Sequence, residues 1–265
     1  MKKRVLGLII VLPTVTFAQA VSKNWSVYSS LETRTSMEQI GKNRKVQEMS
    51  VELIPSLSLP NGGSVRAYFG VSKELQNTYE TTLANSFIGY SQKLIDLNPD
   101  TKVSTEFRGY IPLNETSREN ESLQTRIYGA LSLGASLRIP SIEKTSLSLK
   151  ISAHRNFHEF ETSNTASVNT KYSISETISL GLQINKKWSF STYFTNGHSF
   201  SYQNNRKPDA FEMGQSISYA LNDTTEISFG HNLGGRTFKD NGVSNNIEFY
   251  NRDESTIYAS LGINF

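Results

Sequence analysis

The chain has no cysteine in 265 residues, so no disulfide framework holds it together and no lipid can be attached through a cysteine after an export cleavage. Beyond residue 20 no apolar run reaches the roughly 18 residues that a membrane-crossing helix needs, and no long helical periodicity appears. Excess charge of one sign is missing too. The 27 Lys+Arg stand against 24 Asp+Glu, and Lys2, Lys3 and Arg4 lie in the first few residues, which leaves 24 of each sign in the remainder. The basic pI therefore belongs to the start of the chain, and nothing argues for a nucleic-acid partner. No glycine-rich phosphate loop precedes a helix, so no nucleotide site is expected.

What is present begins with the N-terminus. Lys2, Lys3 and Arg4 precede an apolar stretch from Val5 to Phe17, and Ala18-Gln19-Ala20 supplies small residues at a cleavage position. These three parts predict a secretory signal peptide over residues 1–20, too short for a spanning helix. Residues 21–265 then form one domain.

That domain alternates. Val65, Ala67, Phe69 and Val71 interleave with Arg66, Tyr68, Gly70 and Ser72, and Ile127, Gly129, Leu131, Leu133, Ala135 and Leu137 interleave with Arg126, Tyr128, Ser132, Gly134 and Ser136. Side chains alternate across a strand, so each run has an apolar and a polar face. Short connections rich in Asn, Gly, Pro and Asp, as tight turns demand, are expected at 60–63, 98–100, 140–144, 185–187 and 222–224. Long polar ones are expected near 35–45, 76–82, 114–122, 158–167, 197–209 and 238–254, the last two being the longest. Eleven connections give twelve strands. The run from Leu83 to Leu97 holds no single parity, because Ile88 and Tyr90 conflict with Phe87 and Ile95, and a β-bulge is expected there. Glu176 and His231 fall on the apolar parity of their strands. A mean hydropathy of −0.41 does not conflict with membrane insertion, because a spanning strand needs apolar residues only at alternate positions.

The final strand is the most diagnostic. Ile257, Ala259, Leu261, Ile263 and Phe265 share one parity, with Tyr258, Ser260, Gly262 and Asn264 on the other. This run resembles the C-terminal assembly signal of Gram-negative outer-membrane barrels, with Tyr258, Leu261, Ile263 and Phe265 as its marked positions. The resemblance implies an all-β fold, a transmembrane antiparallel up-and-down barrel of twelve strands in the outer membrane. It also implies contact with outer-membrane lipid and lipopolysaccharide, and with the barrel-assembly machinery through the last strand. The competing reading is a secreted β-sandwich, which turns its apolar face inward.

If the apolar parity faces lipid, the polar parity lines the lumen. Glu52, Glu106, Arg108 and Lys150 are then expected near mid-depth, with Tyr68, Tyr110 and Arg126 close by. Later strands offer small inward groups such as Ser132, Ser148, Ser179, Ser191, Gly214 and Gly230, whose hydroxyls are expected to be satisfied by water. The expected function is a narrow, porin-like channel for small polar solutes with a weak anion preference. The alternatives are a closed structural or adhesin-type barrel that binds through its outer loops, and a hydrolase. Twelve-strand barrels include narrow porins for acidic sugars and nucleoside channels, and no motif assigns the chain to either. Outer-membrane phospholipase A uses a histidine with a serine two residues on. Here His154, His158, His198 and His231 are followed at that spacing by Asn156, Phe160, Phe200 and Leu233. The nearest echo, Thr195-Asn196-Gly197-His198-Ser199, puts His198 and Ser199 on opposite faces. No cofactor and no metal site are expected: His154 and His158 are about 13 Å apart along a strand, and Asp240, Asp253 and Glu254 match no calcium-ligand spacing. Trp25, Trp188 and Tyr90 read as interface girdle residues.

Overall fold

The structure is a computed structural model that describes residues 24–37, 46–76, 78–239, 242, 244–251 and 254–265. The segment assigned to a signal peptide, most of the first long loop, and Asp240 and Asp253 lie outside the described residues. Thirteen strands form one antiparallel sheet. They are β1 (Trp25–Ser36), β2 (Gln47–Ser58), β3 (Gly63–Glu74), β4 (Thr81–Leu83), β5 (Ser86–Asn98), β6 (Thr101–Ile111), β7 (Leu123–Leu137), β8 (Lys144–His158), β9 (Thr170–Gln183), β10 (Trp188–Ser201), β11 (Ala210–Ala220), β12 (Thr225–Arg236) and β13 (Ser255–Asn264). Apart from β4 and β5, which both pair with β3, each neighbours the next in sequence, and β1 pairs with both β2 and β13. The sheet is therefore closed, and only the three-residue β4 is left with one unpaired side.

β4 and β5 both pair with β3, at its outer and inner halves respectively, so they are one stave of the barrel broken near Ala84 and Asn85. The barrel has the expected twelve staves. The parity conflict in this stave has two separate causes. Register shifts between Lys93 and Ile95, and again between Asp96 and Asn98, insert extra residues that return Ile95 to the outward side shared by Ile88. Phe87 is different: it pairs opposite Tyr68 on the inward side.

The apolar parity faces outward. Phe107, Ile127, Ile151 and Phe229 are 56%, 55%, 60% and 59% exposed, whereas only Phe87, Leu123, Ala130, Phe211 and Leu233 are buried apolar side chains among the described residues. A sandwich buries its apolar face in a core; here that face is the outer surface, and hydrocarbon is the solvent that suits it. Trp188 meets Tyr219 on this surface in a tilted contact with ring centroids 4.8 Å apart, as suits an interface girdle.

The turns fall as expected. Gly62 adopts φ +77° between β2 and β3, a conformation that only glycine adopts without strain. The outer connections differ in one respect. β10 runs on through Ser201, so the loop expected to start at Gly197 begins at Tyr202. It is shorter than the connection from Glu159 to Asn169 and is not among the two longest.

Candidate functional site

The inward side chains near mid-depth gather on one wall, carried by β3, β5, β6 and β7. Arg66 and Arg108 both bind Glu106. Arg108 does so through Nε to Oε1 and Nη2 to Oε2, each 2.8 Å, while Arg66 donates through Nη2 to Oε1. Arg108 also donates to the Tyr110 hydroxyl at 3.1 Å. Its guanidinium lies over the rings of Phe87 at 4.6 Å and Tyr128 at 4.7 Å. Phe87 stacks on Tyr68 with centroids 5.4 Å apart and meets Tyr110 at 5.2 Å. Arg126 lies 5.5 Å over Tyr110 and donates to Asn156 Oδ1 at 2.7 Å. The Tyr68 hydroxyl donates to Glu52 Oε1 at 3.0 Å.

Six of the seven residues expected at the constriction are thus linked through bonds and ring contacts: Glu52, Tyr68, Glu106, Arg108, Tyr110 and Arg126. Lys150 stands apart. It faces the lumen opposite Ser132 and Thr177 and has no hydrogen bond or ion pair among the described residues. Phe87 was not expected. An aromatic ring among polar inward positions reads as a parity error in sequence, and its signal is the four cationic and tyrosyl residues that the neighbouring strands aim at it.

Charge is divided unevenly around the lumen. On β3, β6, β7 and β8 the inward parity carries Arg66, Lys102, Arg108, Arg126, Lys144 and Lys150 with Glu74 and Glu106. On β1, β2, β11 and β12 it carries Glu32, Glu48, Glu52, Glu212 and Glu226 with Arg236 at the rim and Arg34, which pairs with Glu32 at 2.9 Å. One carboxylate between two guanidiniums, with Lys150 unpaired, leaves the first side positive.

The third part of the wall is small. Ser148 and Ser179, Ser173 and Ser199, Ser191 and Ser216, and Ser218 and Ser228 approach through their hydroxyl oxygens at 2.7 Å, and Ser152 and Ser175 at 2.9 Å. Part of what water was expected to supply comes from the wall itself, since in each pair one hydroxyl donates to its neighbour across the strands. Gly214 and Gly230 are also not open positions. The rings of Tyr193 and Tyr258 lie across them, and a Cβ at Gly230 would stand 2.3 Å from Tyr258. Ser191 remains solvent-exposed although it faces inward.

At the outer end, a cavity of about 540 Å³ is lined by Arg126, His154, Asn156, His158, Ser173, Ser199 and Lys207, among others. It forms a polar vestibule above the arginine cluster. No group of three or more metal-ligating side chains occurs among the described residues.

The outward polar exceptions have partners. His231 Nδ1 lies 3.3 Å from Gln215 Nε2, while its buried Nε2 has no hydrogen-bond partner among the described residues. Glu176 sits 3.6 Å from His198 Nε2. Ser199 turns inward to Ser173 while His198 turns outward to Asp209 at 3.1 Å, so the two do not form a base and nucleophile pair. Burial pushes the Asp209 carboxyl up, but hydrogen bonds from Arg206 and His198 outweigh it and hold the group below the usual carboxylate range. The last strand is paired on both sides, and Phe265 N donates to Val27 O at 2.9 Å.

No protein-family model matches the chain, and no curated protein matches it in sequence. Solved structures do resemble it. NanC porin is 12% identical with a TM-score of 0.57, over 90% of this chain and 98% of its own. An outer membrane channel from Pseudomonas putida F1 is 9% identical with a TM-score of 0.57, over 93% and 97%. KdgM porin is 9% identical with a TM-score of 0.50, over 89% and 99%. At such identities the likeness shows the fold, which is the closed barrel of Gram-negative outer-membrane porins and channels.

Proposed function

We propose that the protein is a narrow, water-filled channel that passes small polar solutes through the outer membrane with a weak preference for anions. The observation that carries this reading is the asymmetry of the lumen wall. Bulky side chains crowd one side, while the facing side offers short hydroxyls bonded along the wall, with Ser191 open to solvent. A twelve-stave lumen is wider than the eight-strand barrels that side chains fill, and the serine stretches of this wall project little into it, while Tyr193 and Tyr258 lie flat across the neighbouring glycines. Anion preference follows from Arg66, Arg108, Arg126 and Lys150 standing against Glu52 and Glu106 at the constriction, because charged rings tune ion preference in pores. NanC, KdgM and the Pseudomonas putida channel are porins or channels by name, which supports the same reading. Residues 1–20 are proposed to direct export, and Tyr258, Leu261, Ile263 and Phe265 to engage the assembly machinery. The reading involves no catalysis.

The second reading, a closed barrel, is favoured by one observation: the mid-depth arginines are already paired with Glu106. Planar-bilayer recordings of the refolded protein separate the two. The channel predicts small discrete conductance steps and a reversal potential in a salt gradient that favours anions slightly, moving toward cations in Arg108→Glu. Silence in both proteins supports the closed barrel, and clear cation selectivity in the unaltered protein rejects the anion preference.

A further inference from the structure

A second cationic feature lies on the outside of the barrel. Between the loop that joins β10 to β11 and the hairpin that continues β12 there is a cavity of about 700 Å³, lined by Arg206, Lys207, Arg236 and Lys239 over a floor of Asn196, His198 and Thr237. Asn196 and His198 belong to the outward parity of β10, the same face as Phe190 and Phe194. The cavity therefore opens at the outer rim beside the lipid-facing surface, with Arg236 reaching it from the inward parity of β12 and Lys207 shared with the lumen vestibule.

Its depth follows from strand geometry. Trp188 marks the inner girdle on the same face, and His198 is ten residues further along β10. At ~3.4 Å per residue and a tilt of ~40°, that places His198 roughly 25 Å above Trp188, which is about the height of the apolar band of such barrels. The cavity stands at the level of the outer headgroups.

Its floor is built. Asp209, whose side chain is only 6% exposed, accepts from Arg206 Nε at 3.0 Å and Nη2 at 2.5 Å, and meets His198 Nδ1 at 3.1 Å. Asn196 Nδ2 lies 3.1 Å from His198 Nε2, and Asn196 Oδ1 accepts from Thr237 at 3.2 Å. The single acid among the described residues of the lining is therefore occupied, and Glu176 and Glu254 are described carboxylates nearby but outside it. Lys207 Nζ is held away by Val168 O and Thr170 Oγ1, each at 3.0 Å. Arg206, paired with Asp209 yet 59% exposed along its side chain, and the exposed Lys239 reach the open side of the cavity, and Lys239 adds a positive charge that Asp209 does not balance. Below them on the same face are Ile174, which pairs opposite His198, and Phe194.

We propose that this cavity holds the phosphate of a phosphorylated glycolipid of the outer leaflet. Arg206 and Lys239 meet the phosphate, and Ile174 and Phe194 lie beside the acyl chains. Cations placed directly above an apolar outer wall match a ligand that is anionic at its head and apolar below. A free anion would use only the upper half of that arrangement.

The test uses the full refolded barrel in detergent, with bound lipid counted by native mass spectrometry. The probes are a bisphosphorylated diglucosamine lipid, its dephosphorylated counterpart, and inorganic phosphate. The phosphorylated lipid is expected to bind about tenfold more tightly than the dephosphorylated one, the worth of one strong charge-assisted contact. Lys239→Glu and Arg206→Gln should each erase most of that preference while far-UV circular dichroism is unchanged. Lys239→Glu, remote from Asp209, decides the matter if Arg206→Gln does not refold. Equal binding of the two lipids, a preference that survives Lys239→Glu, or inorganic phosphate competing at the same concentration as the lipid each overturns the proposal.

Discussion

Two parts of the lumen wall obey the same alternation and use it to opposite ends. On β3, β5, β6 and β7 the inward side chains are long, and they bind one another across the space in front of the wall: Arg66 and Arg108 to Glu106, and Arg108 over Phe87 and Tyr128. On β8 to β12 the recurring inward group is serine, bonded sideways along the wall hydroxyl to hydroxyl, with Lys150, Tyr193, Glu212 and Glu226 among the long exceptions. Both walls pair most of their polar groups, although Arg66 Nε is buried without a partner among the described residues. The difference is where the satisfied groups stand. An arginine held by rings and a carboxylate occupies the lumen, whereas a serine held by the serine beside it leaves the lumen clear. Polarity alone therefore says little about whether a barrel conducts; the direction of the hydrogen bonds says more.

The comparison breaks most visibly at Phe87. Its ring is 9% exposed and lies under two guanidiniums and between two tyrosines. Phe87→Ala removes the surface on which the crowded wall is stacked, at a cost of about 3–5 kcal/mol for a buried phenylalanine. The expected result is a lower midpoint for urea unfolding from lipid vesicles, together with a larger conductance as Arg108 loses its seat. A destabilised barrel with unchanged conductance would mean that the cluster supports the wall without setting the bore.

Lys150 and Ser191 sharpen the comparison with smaller effects. Lys150 lacks a partner among the described residues, so Lys150→Glu should move the reversal potential toward cations and change unfolding by no more than about 0.5 kcal/mol, as for a substitution that breaks no contact. Arg108→Glu, by contrast, should change both. At Ser191, which is exposed on the clear side, Ser191→Tyr should reduce single-channel conductance and leave the unfolding midpoint in place. If Ser191→Tyr conducts normally, solutes do not travel along the hydroxyl wall.

Much of this arrangement was legible in the residues. Alternation assigned faces correctly for Val65 to Ser72 and Ile127 to Ser136, because a one-residue slip would turn every apolar side chain into the lumen. Turn chemistry at Asn61-Gly62 and Asn98-Pro99-Asp100 marked the short connections. Three features were not legible, each for a physical reason. Phe87 violates the local pattern because its partners come from strands distant in sequence. Gly214 and Gly230 read only as small inward groups because nothing local shows that Tyr193 and Tyr258 on neighbouring strands cover them. The outer end of β10 read as loop because Asn196 and His198 are polar on the outward face, and polarity stops distinguishing strand from loop once a strand rises above hydrocarbon.

The smallest expected effect tests the hydroxyl wall itself. Ser148 and Ser179 lie on adjacent strands with their oxygens 2.7 Å apart, and neither depends on a charged neighbour. Ser148→Ala alone leaves the Ser179 hydroxyl without its partner and should cost about 0.5–1.5 kcal/mol, the net worth of one such bond. The double change Ser148→Ala with Ser179→Ala removes both partners together, so it should cost no more than the single one, giving a coupling energy close to the single-mutant loss in a double-mutant cycle. Conductance should be the same in all four proteins, because these oxygens point at each other along the wall. Strictly additive losses would mean that each hydroxyl is satisfied independently by lumen water, and the contrast between the two walls would then rest on side-chain size alone.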